Sequence, residues 1–463
     1  MTAAERTNSL LTAPILPTLV RMSLPNLIAM LATALVAVAE TAYVGRLGTP
    51  SLAGMALVFP MVMLQQQMSS GAMGGGISSA VARALGSGDA GRAARIARHA
   101  VVIGVVAGLM FTAVFLGLGS VIYRLLGGSG EAHAAALHYS NTAFLGSIGV
   151  WLANTLASIV RGTGNMRLPS LALLIAAGLQ ILLGGVLGLG LGPVPRLGMS
   201  GIALGQVLSF GGCALFLGWY LMAGRARVRL SLNGGLEWGL FADILKVGAL
   251  ACLSSLQSVL SVLVLARLLA QYGTEALAGY GIGARLEFLL VPITSAIGIA
   301  CVPLVGMAIG AGDVARARRV AWTGGVLAAG VVGTIGGIVA LQPEWWTRLF
   351  SQDSNVIAAA RAYFAWAGPC YGLFGLGMCL YFASQGSGRV LGPVLAQTVR
   401  LVVIVMGGSG LLAIRAPQWT LFALVGLAMA CYGLVAALSI HLARWGVAGE
   451  YPRTGIGLRG NPT

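Results

Sequence analysis

Long apolar stretches separated by short polar turns run through the whole chain. With each turn taken as a boundary, the pattern predicts twelve helices, over residues 16–46, 52–82, 95–120, 133–159, 168–191, 199–223, 239–270, 276–308, 317–341, 355–384, 391–413 and 418–443. A helix rises about 1.5 Å per residue, so each of them is long enough to cross a hydrocarbon layer of about 30 Å. We therefore predict an all-α integral membrane protein with short loops.

Three sequence motifs occur twice at a nearly constant spacing. The matched pairs, offset by 225 residues in the first case and 224 in the others, are GTPSLAG (48–54) with GTEALAG (273–279), GSGDAGRAARIA (86–97) with GAGDVARARRVA (310–321), and RGTGNMRLP (161–169) with QGSGRVLGP (385–393). The repeat predicts two pseudo-symmetric six-helix lobes. Because six is even, the repeat is parallel, an arrangement typical of transporters that rock about a site between two halves.

Positive charge alternates between rich and poor loops. The rich stretches are 83–98, 161–167, 225–246 and 316–319. Since basic residues accumulate on the cytoplasmic side of membrane proteins, both termini are predicted to be cytoplasmic, in a multi-pass protein of the inner membrane. The predicted domains are an amino-terminal lobe (1–224), a cytoplasmic inter-lobe linker (225–238), a carboxy-terminal lobe (239–445) and a cytoplasmic tail (446–463).

Composition narrows the class of protein. Of the 463 residues, 57% are hydrophobic and 9% are charged, which excludes an ordinary soluble domain. The net charge of +16 is spread over short loops, so we predict a lipid bilayer and no nucleic acid as partner. The six cysteines lie in apolar stretches and the four histidines lack metal-ligand spacing, so we expect no resident metal or cofactor. The two lobes form a complete unit, and we expect a monomer.

Two carboxylates stand out because they lie inside predicted helices. Ten of the twelve acidic residues fall in loops, tails or helix ends, which leaves Glu40 in the first helix and Glu287 in the eighth. An ionised carboxylate at membrane depth costs about 3 kcal/mol or more, so both are functional candidates. Glu40 could instead reach the headgroups, and Glu287 could form a structural ion pair with Arg400. The repeat does not relate the two acids, so the lobes are predicted to have different roles.

Other polar or flexible residues in the apolar helices are candidates for lining a substrate cavity. Thr33 and Tyr43 lie on the helix face of Glu40, and Pro25 in the same helix is a candidate hinge. The remaining cavity candidates are Met63, Gln66, Asn154, Gln257, Arg285 and Arg400. Core packing remains the simpler interpretation for the methionine.

Two GxGD strings, at 86–89 and 310–313, are shared with intramembrane aspartyl proteases. Both lie in basic loops and are copies of one repeat, so Asp89 and Asp313 are better interpreted as helix N-caps. No other catalytic motif is present in the sequence. We therefore predict that the protein is not an enzyme and keep an intramembrane protease as an unfavoured alternative.

The motifs in series resemble the multidrug and toxic compound extrusion (MATE) family, most closely its prokaryotic DinF-like branch. The resemblance rests on VAETAYVGRLGTPSLAG, ARALGSGDAGRA, IVRGTGNMRLP, RLEFLLVPITSAIG and CVPLVGMAIGAGDVARAR, and it covers nearly the whole chain. It implies a twelve-helix antiporter that exports bulky, often cationic, amphipathic compounds by alternating access against an inward flow of H⁺ or Na⁺. It also implies that Glu40, at the position of an acid in the first helix, couples transport to the cation.

The chain departs from the family at the other cation-site positions. The family's site adds an Asn and an Asp four apart in helix five and a Thr in helix six; the matching positions here are Gln180, Gly184 and Gln206. Tyr139 in helix four is retained. A site reduced to Glu40 with amides and a phenol suits H⁺ better than Na⁺. An exporter or flippase of a large, lipid-linked or other anionic metabolite on the same fold remains the alternative function, and the sequence does not identify the substrate.

Overall fold

Twelve long helical elements, α1 to α12, form the computed structural model, which describes residues 10–231 and 233–446. They are α1 (Ile15–Gly45), α2 (Thr49–Gln66, π-helical Gln67–Met73 and Gly74–Gly86), α3 (Ala90–Leu125), α4 (Gly130–Leu145 and Ser147–Gly162), α5 (Arg167–Leu189), α6 (Gly198–Met222), α7 (Trp238–Ala270), α8 (Thr274–Gly310), α9 (Val314–Leu341), α10 (Ser354–Ala367, 3₁₀ turn Gly368–Cys370 and Tyr371–Ser387), α11 (Leu391–Val402, π-helical Val403–Gly407 and Gly408–Ala413) and α12 (Gln418–Leu442). A short helix, Glu344–Thr347, follows α9. The described residues contain no strand.

The helices are long and apolar enough for the predicted membrane protein. Within the described part of the chain, nine pass a length and hydropathy test individually, and α4, bent by 48° between its two segments, makes a tenth. The remaining two are α2, which contains a π-helical segment, and α10, which contains a 3₁₀ turn. The predicted all-α architecture with twelve transmembrane helices in two pseudo-symmetric six-helix lobes is confirmed.

Helix boundaries follow capping chemistry. Asp89 accepts a hydrogen bond from the backbone N–H of Arg92 at 2.7 Å, and Asp313 accepts one from Arg316 at 2.8 Å. These contacts satisfy amides that a helix leaves unpaired at its start. The prediction that both aspartates are N-caps is confirmed, and α3 and α9 consequently begin several residues before the predicted 95 and 317.

The first helix of each lobe, α1 or α7, packs in both lobes. Leu19 and Met22 of α1 lie in a hydrophobic cluster with carboxy-lobe residues, whereas Val44 at the other end of α1 lies in the amino-lobe core. In α7, Ile244 and Val247 belong to the amino-lobe core and Leu268 to the carboxy-lobe core. Each lobe therefore begins with a helix whose first half is packed against the other lobe.

The lobes meet closely on the side of the molecule that carries the inter-lobe linker, which we call the linker side; the opposite side is called the far side. A β-carbon added at Gly86 would lie 2.2 Å from the carbonyl oxygen of Met307, and one at Gly310 would lie 2.1 Å from that of Arg83. Such close approach between α2 and α8 requires glycine. The linker runs between Met222 and Trp238, and the predicted tail (446–463), apart from Gly446, lies outside the described residues.

Candidate functional site

Glu40 lies in the far-side half of α1, and its side chain is buried inside the amino lobe. The residue is 5% exposed. Its Oε1 accepts a hydrogen bond from Nε2 of Gln180 in α5 at 2.8 Å, and its Oε2 accepts one from the hydroxyl of Tyr139 in α4 at 3.2 Å. The Tyr139 hydroxyl also lies 3.4 Å from Oε1 of Gln206 in α6. The structure thus brings together the four residues that were predicted to form the cation-coupling site.

The phenol of Tyr139 has a choice of partner. It carries a single hydrogen, so it can donate to the Glu40 carboxylate or to the Gln206 amide oxygen, but not fully to both at once. An ionised carboxylate is the stronger acceptor. Loss of the charge on Glu40 would therefore free the phenol to donate to Gln206.

Glycines place the two glutamines beside Glu40. A β-carbon at Gly205 of α6 would lie 2.5 Å from the backbone nitrogen of Gly184 in α5, so the two backbones touch at this level. Gln180 lies one turn from Gly184 and Gln206 next to Gly205; the Gln180 amide consequently reaches the carboxylate, and the Gln206 amide reaches the Tyr139 hydroxyl that is bonded to it. At Gly184 itself, an added β-carbon would have no contact shorter than 3.5 Å. The backbone therefore admits a β-carbon at this position, although the chain supplies no second acid there.

The second acid inside a membrane helix, Glu287 of α8, is half-buried and has a different environment. The hydroxyl of Tyr363 donates a very short hydrogen bond to its Oε1, and that of Tyr371 lies 3.5 Å from the same atom. Glu287 and Arg400 line one small cavity, with about 10 Å³ of free space, close to what one water molecule needs. The Arg400 guanidinium is stacked on the ring of Phe374 at 5.1 Å.

Glu287 and Arg400 do not form the structural ion pair that the sequence left open. Among the described residues, every ion pair within 4 Å involves an acid other than Glu287. Arg400 is 9% exposed and its Nε has no hydrogen-bond partner. The two charges therefore face a common cavity without direct contact. Tyr363 and Tyr371 were missed by sequence reasoning, although both lie in the predicted tenth helix, eight residues apart.

The remaining predicted cavity residues are spread over several places. Asn154 donates to Gln66 Oε1 at 3.2 Å and to Ser69 Oγ at 2.9 Å. Both acceptors flank or lie in the π-helical segment of α2, an irregularity that is common at functional sites. Half-buried Met63 lies one helical turn before Gln66 in α2. Ser69 was not predicted, since a lone serine in an apolar helix carries little signal.

Other predicted residues lie apart from both acids. Gln257 donates to Thr398 at 2.7 Å within the carboxy lobe, and Arg285 is exposed, stacked on the Phe350 ring at 4.8 Å. The hydroxyl of the exposed Thr33 is bonded to the Ala29 carbonyl of its own helix at 3.1 Å. The structure does not bring these three side chains to Glu40 or to the Glu287 cavity.

Two further predicted residues, Pro25 and Tyr43, lie in α1 on either side of its middle. The ring of the half-buried Tyr43 covers Gly185, where an added β-carbon would be 3.2 Å from the Tyr43 hydroxyl. Pro25 lies inside the helix, beside Asn26, whose buried amide has no hydrogen-bond partner on either atom. A proline removes one backbone hydrogen bond, so α1 is weakened between its two packing surfaces.

No site for a resident metal is formed by the described residues, since they contain no group of three or more His, Cys, Asp or Glu side chains placed to hold one. The free cysteines are mostly buried in helix contacts. What the arrangement can do is hold a proton or a cation at a single carboxylate. A two-lobed bundle of membrane helices with a carboxylate buried in one lobe is an architecture typical of membrane transporters.

Comparison with known proteins gives the family. The MatE family model matches residues 25–186 and 251–408, more than half of the chain, so the protein belongs to the MatE family and is a multi-pass membrane efflux transporter. It is similar to an FAD transporter of Shewanella oneidensis (26% identity; 86% of this chain and 88% of that one) and to the probable multidrug resistance protein NorM of Thermotoga maritima (26%; 78% and 77%). It also shares 28% identity over 51% of each chain with the multidrug export protein MepA of Staphylococcus aureus.

Solved structures show the same fold. A MATE protein in the bent conformation gives a TM-score of 0.86 at 24% identity, covering 94% of this chain and 96% of that one. An outward-facing MATE family multidrug resistance transporter gives 0.82 at 24% identity, with coverage of 93% and 95%. A MOP superfamily transporter from Pyrococcus furiosus, described as having a binding pocket of reverse polarity, gives 0.85 at 24% identity, with coverage of 94% and 96%.

Proposed function

We propose that this transporter is an H⁺-coupled antiporter in which Glu40 is the residue that takes up the coupling proton. The observation that carries the proposal is the composition of the amino-lobe site: one carboxylate, two amides and one phenol, with glycine where a second acid would fit. A proton needs one acceptor. A metal cation such as Na⁺ needs several closely spaced oxygens, and Na⁺ coupling is therefore the weaker alternative.

The proposed cycle follows from the burial of Glu40. Removing a carboxylate from water disfavours its charged form unless a cation or hydrogen-bond donors compensate. A cationic substrate near the ionised Glu40 supplies that compensation, and a proton removes the need for it. Each therefore displaces the other, and rocking of the lobes about the site exposes it alternately to the two sides. Glu287, which accepts hydrogen bonds from Tyr363 and Tyr371, is the proposed second cation-binding or gating acid, in the carboxy lobe.

Amphipathic, drug-like cations are the proposed substrates. A second substrate class is favoured by one observation: the relative from Shewanella oneidensis is an FAD transporter, and FAD is a large anion. The partly uncompensated Arg400 beside the Glu287 cavity could attract an anionic group. In either case we propose that the protein is a monomer in the inner membrane. The arginines clustered on the linker side favour a cytoplasmic position for that side, and hence for both termini.

The test is transport by purified protein in liposomes with a pH gradient or an Na⁺ gradient imposed separately. Ethidium is the cationic probe and FAD the anionic one. The variants are wild type, Glu40→Gln, and Glu131→Gln as a matched control, because Glu131 is an exposed acid at the start of α4 in the same lobe.

We expect ethidium transport driven by the pH gradient in wild type and Glu131→Gln, and its loss in Glu40→Gln. Retained proton-driven transport in Glu40→Gln would contradict the role of Glu40. Transport driven by Na⁺ alone would contradict the assignment of the ion. Transport of FAD without ethidium would replace the drug exporter by the anion exporter.

A further inference from the structure

The inter-lobe linker is held against the amino lobe by α3. Arg98, 8% exposed, donates from Nη1 to the carbonyl of Asn233 at 2.5 Å and from Nη2 to that of Gly235 at 2.6 Å. Gly234 lies between these carbonyls with a φ of +128°, and an added β-carbon would lie 2.3 Å from Nη1 of Arg98. This part of the linker, residues 233–237, is called the strap.

His99 holds the end of the strap through a hydrogen bond that depends on the charge of the imidazole. The imidazole is completely buried, its Nδ1 lies 2.7 Å from the carbonyl oxygen of Arg95, and its Nε2 lies 2.8 Å from the backbone nitrogen of Glu237. A carbonyl can only accept and a backbone N–H can only donate, so Nδ1 carries the hydrogen and Nε2 is a bare acceptor. The bound ring is therefore neutral and in one tautomer.

We propose that His99 is a pH sensor on the linker side, and that its protonation releases the Glu237 end of the strap, while Arg98 keeps its bonds to the carbonyls of Asn233 and Gly235. An imidazole is the side chain whose charge ordinarily changes between about pH 5 and 8. A proton on Nε2 would point at the N–H of Glu237, which is already a donor, and the bond would be lost. The inference concerns the linker side alone and does not depend on which ion drives transport.

The charged groups around His99 make the cluster predominantly basic. On its own helix they are Arg92, Arg95 and Arg98; the linker adds Glu237, α7 adds Asp243, and α2 adds Arg83. Arg95 and Glu237 form an exposed pair at 3.4 Å, whereas Asp243 is occupied by Arg83 at 2.6 Å and Arg92 at 3.2 Å. Within the described part of the chain neither carboxylate is bonded to the imidazole, so no carboxylate compensates a charge on the ring directly.

Release of the Glu237 end of the strap would loosen the contact between the lobes. The edge of the His99 ring packs on Phe241 of α7 with the ring centroids 4.6 Å apart, two residues before Asp243. This first part of α7 is the segment that packs in the amino-lobe core. Because the two lobes must separate on the linker side during alternating access, acidification of that side is expected to shift the population toward the state open there.

The test is hydrogen exchange of the strap, measured by mass spectrometry at about pH 7.5 and about pH 5.5 and corrected for the intrinsic pH dependence of exchange. No transport or ion gradient is needed, so failure here is distinct from failure of the proposed antiport. The variants are wild type, His99→Gln, His99→Phe and, as a control, His441→Gln, since His441 is an exposed histidine at the end of α12.

We expect the protection of the Glu237 amide in wild type and His441→Gln to fall about tenfold or more at the lower pH. In His99→Gln the amide oxygen accepts the Glu237 bond without titrating, so protection should not depend on pH. His99→Phe keeps a ring against Phe241 but has no acceptor, so the Glu237 amide should exchange rapidly at both values. Unchanged protection in wild type, a pH response that persists in either His99 variant, or one that disappears in His441→Gln would overturn the proposal.

Discussion

Substitution of Gly86 by alanine tests whether the close contact on the linker side determines which side of the transporter is open. Gly86 is the last residue of α2, and the new methyl group would lie 2.2 Å from the carbonyl oxygen of Met307 and 2.8 Å from its α-carbon. These are backbone atoms, which cannot turn aside as a side chain could. To restore ordinary contact, α2 and α8 must move apart by about 1 Å, and with them the two lobes.

The cost of such overpacking is about 1–3 kcal/mol, and it falls on the state in which the linker side is closed. A state with that side open does not make the contact. We therefore expect the ratio of closed to open molecules to fall by about tenfold or more, since 1.4 kcal/mol corresponds to a factor of ten.

The assay is the distance between spin labels at Ala90 and Ala311, two exposed positions at the linker-side ends of α3 and α8, in a background without native cysteines. Gly117→Ala is the control, because a β-carbon there would meet no atom within 4 Å. Gly86→Ala should enrich the long-distance population and Gly117→Ala should not. Identical distance distributions in the two variants would refute the reasoning.

Three further substitutions test the two acid sites by transport in liposomes. Gly184→Asp supplies a second carboxylate where the backbone leaves room, so Na⁺ should begin to stimulate transport; exclusive dependence on the pH gradient would contradict this. Tyr139→Phe removes a hydrogen-bond donor from Glu40 and should slow export about tenfold, because a hydrogen bond to a charged group contributes about 1.5–3 kcal/mol. The control is Tyr123→Phe, which removes a buried hydroxyl bonded to Ser140 and should have little effect on coupling. Glu287→Gln should lower transport, and normal transport would leave that acid a structural role.

Much of the candidate site was accessible from sequence because its members are rare residue types in apolar helices. Glu40 is the only acid of α1, and the family resemblance pointed to Tyr139, Gln180 and Gln206 at matching positions. The structure brings these four together. The same reasoning could not find Tyr363 and Tyr371 beside Glu287, because a tyrosine in a membrane helix is equally compatible with packing, with the membrane interface and with a polar site.

Arg285 is a residue that the sequence suggested for the substrate cavity and that lies elsewhere in the structure. It lies two residues from Glu287 in the sequence, but on a helix such residues point in different directions. Its guanidinium is accordingly exposed and stacked on Phe350, while the distant Arg400 shares the cavity of Glu287. Closeness in sequence was a poor guide to closeness in space.

The sequence by itself determined the number of helices, the parallel two-lobe repeat and the two acids inside membrane helices. These features depend on local hydropathy, on a constant repeat offset and on the cost of charge in an apolar helix, all of which are properties of the chain alone. Only the tertiary structure decided that α1 and α7 each pack in both lobes, that Gly86 and Gly310 close the linker side, and that His99 holds the strap. The physical reason is that lipid-facing and core-facing surfaces of a membrane helix are both apolar, so the pattern along a helix does not reveal which neighbour it will contact.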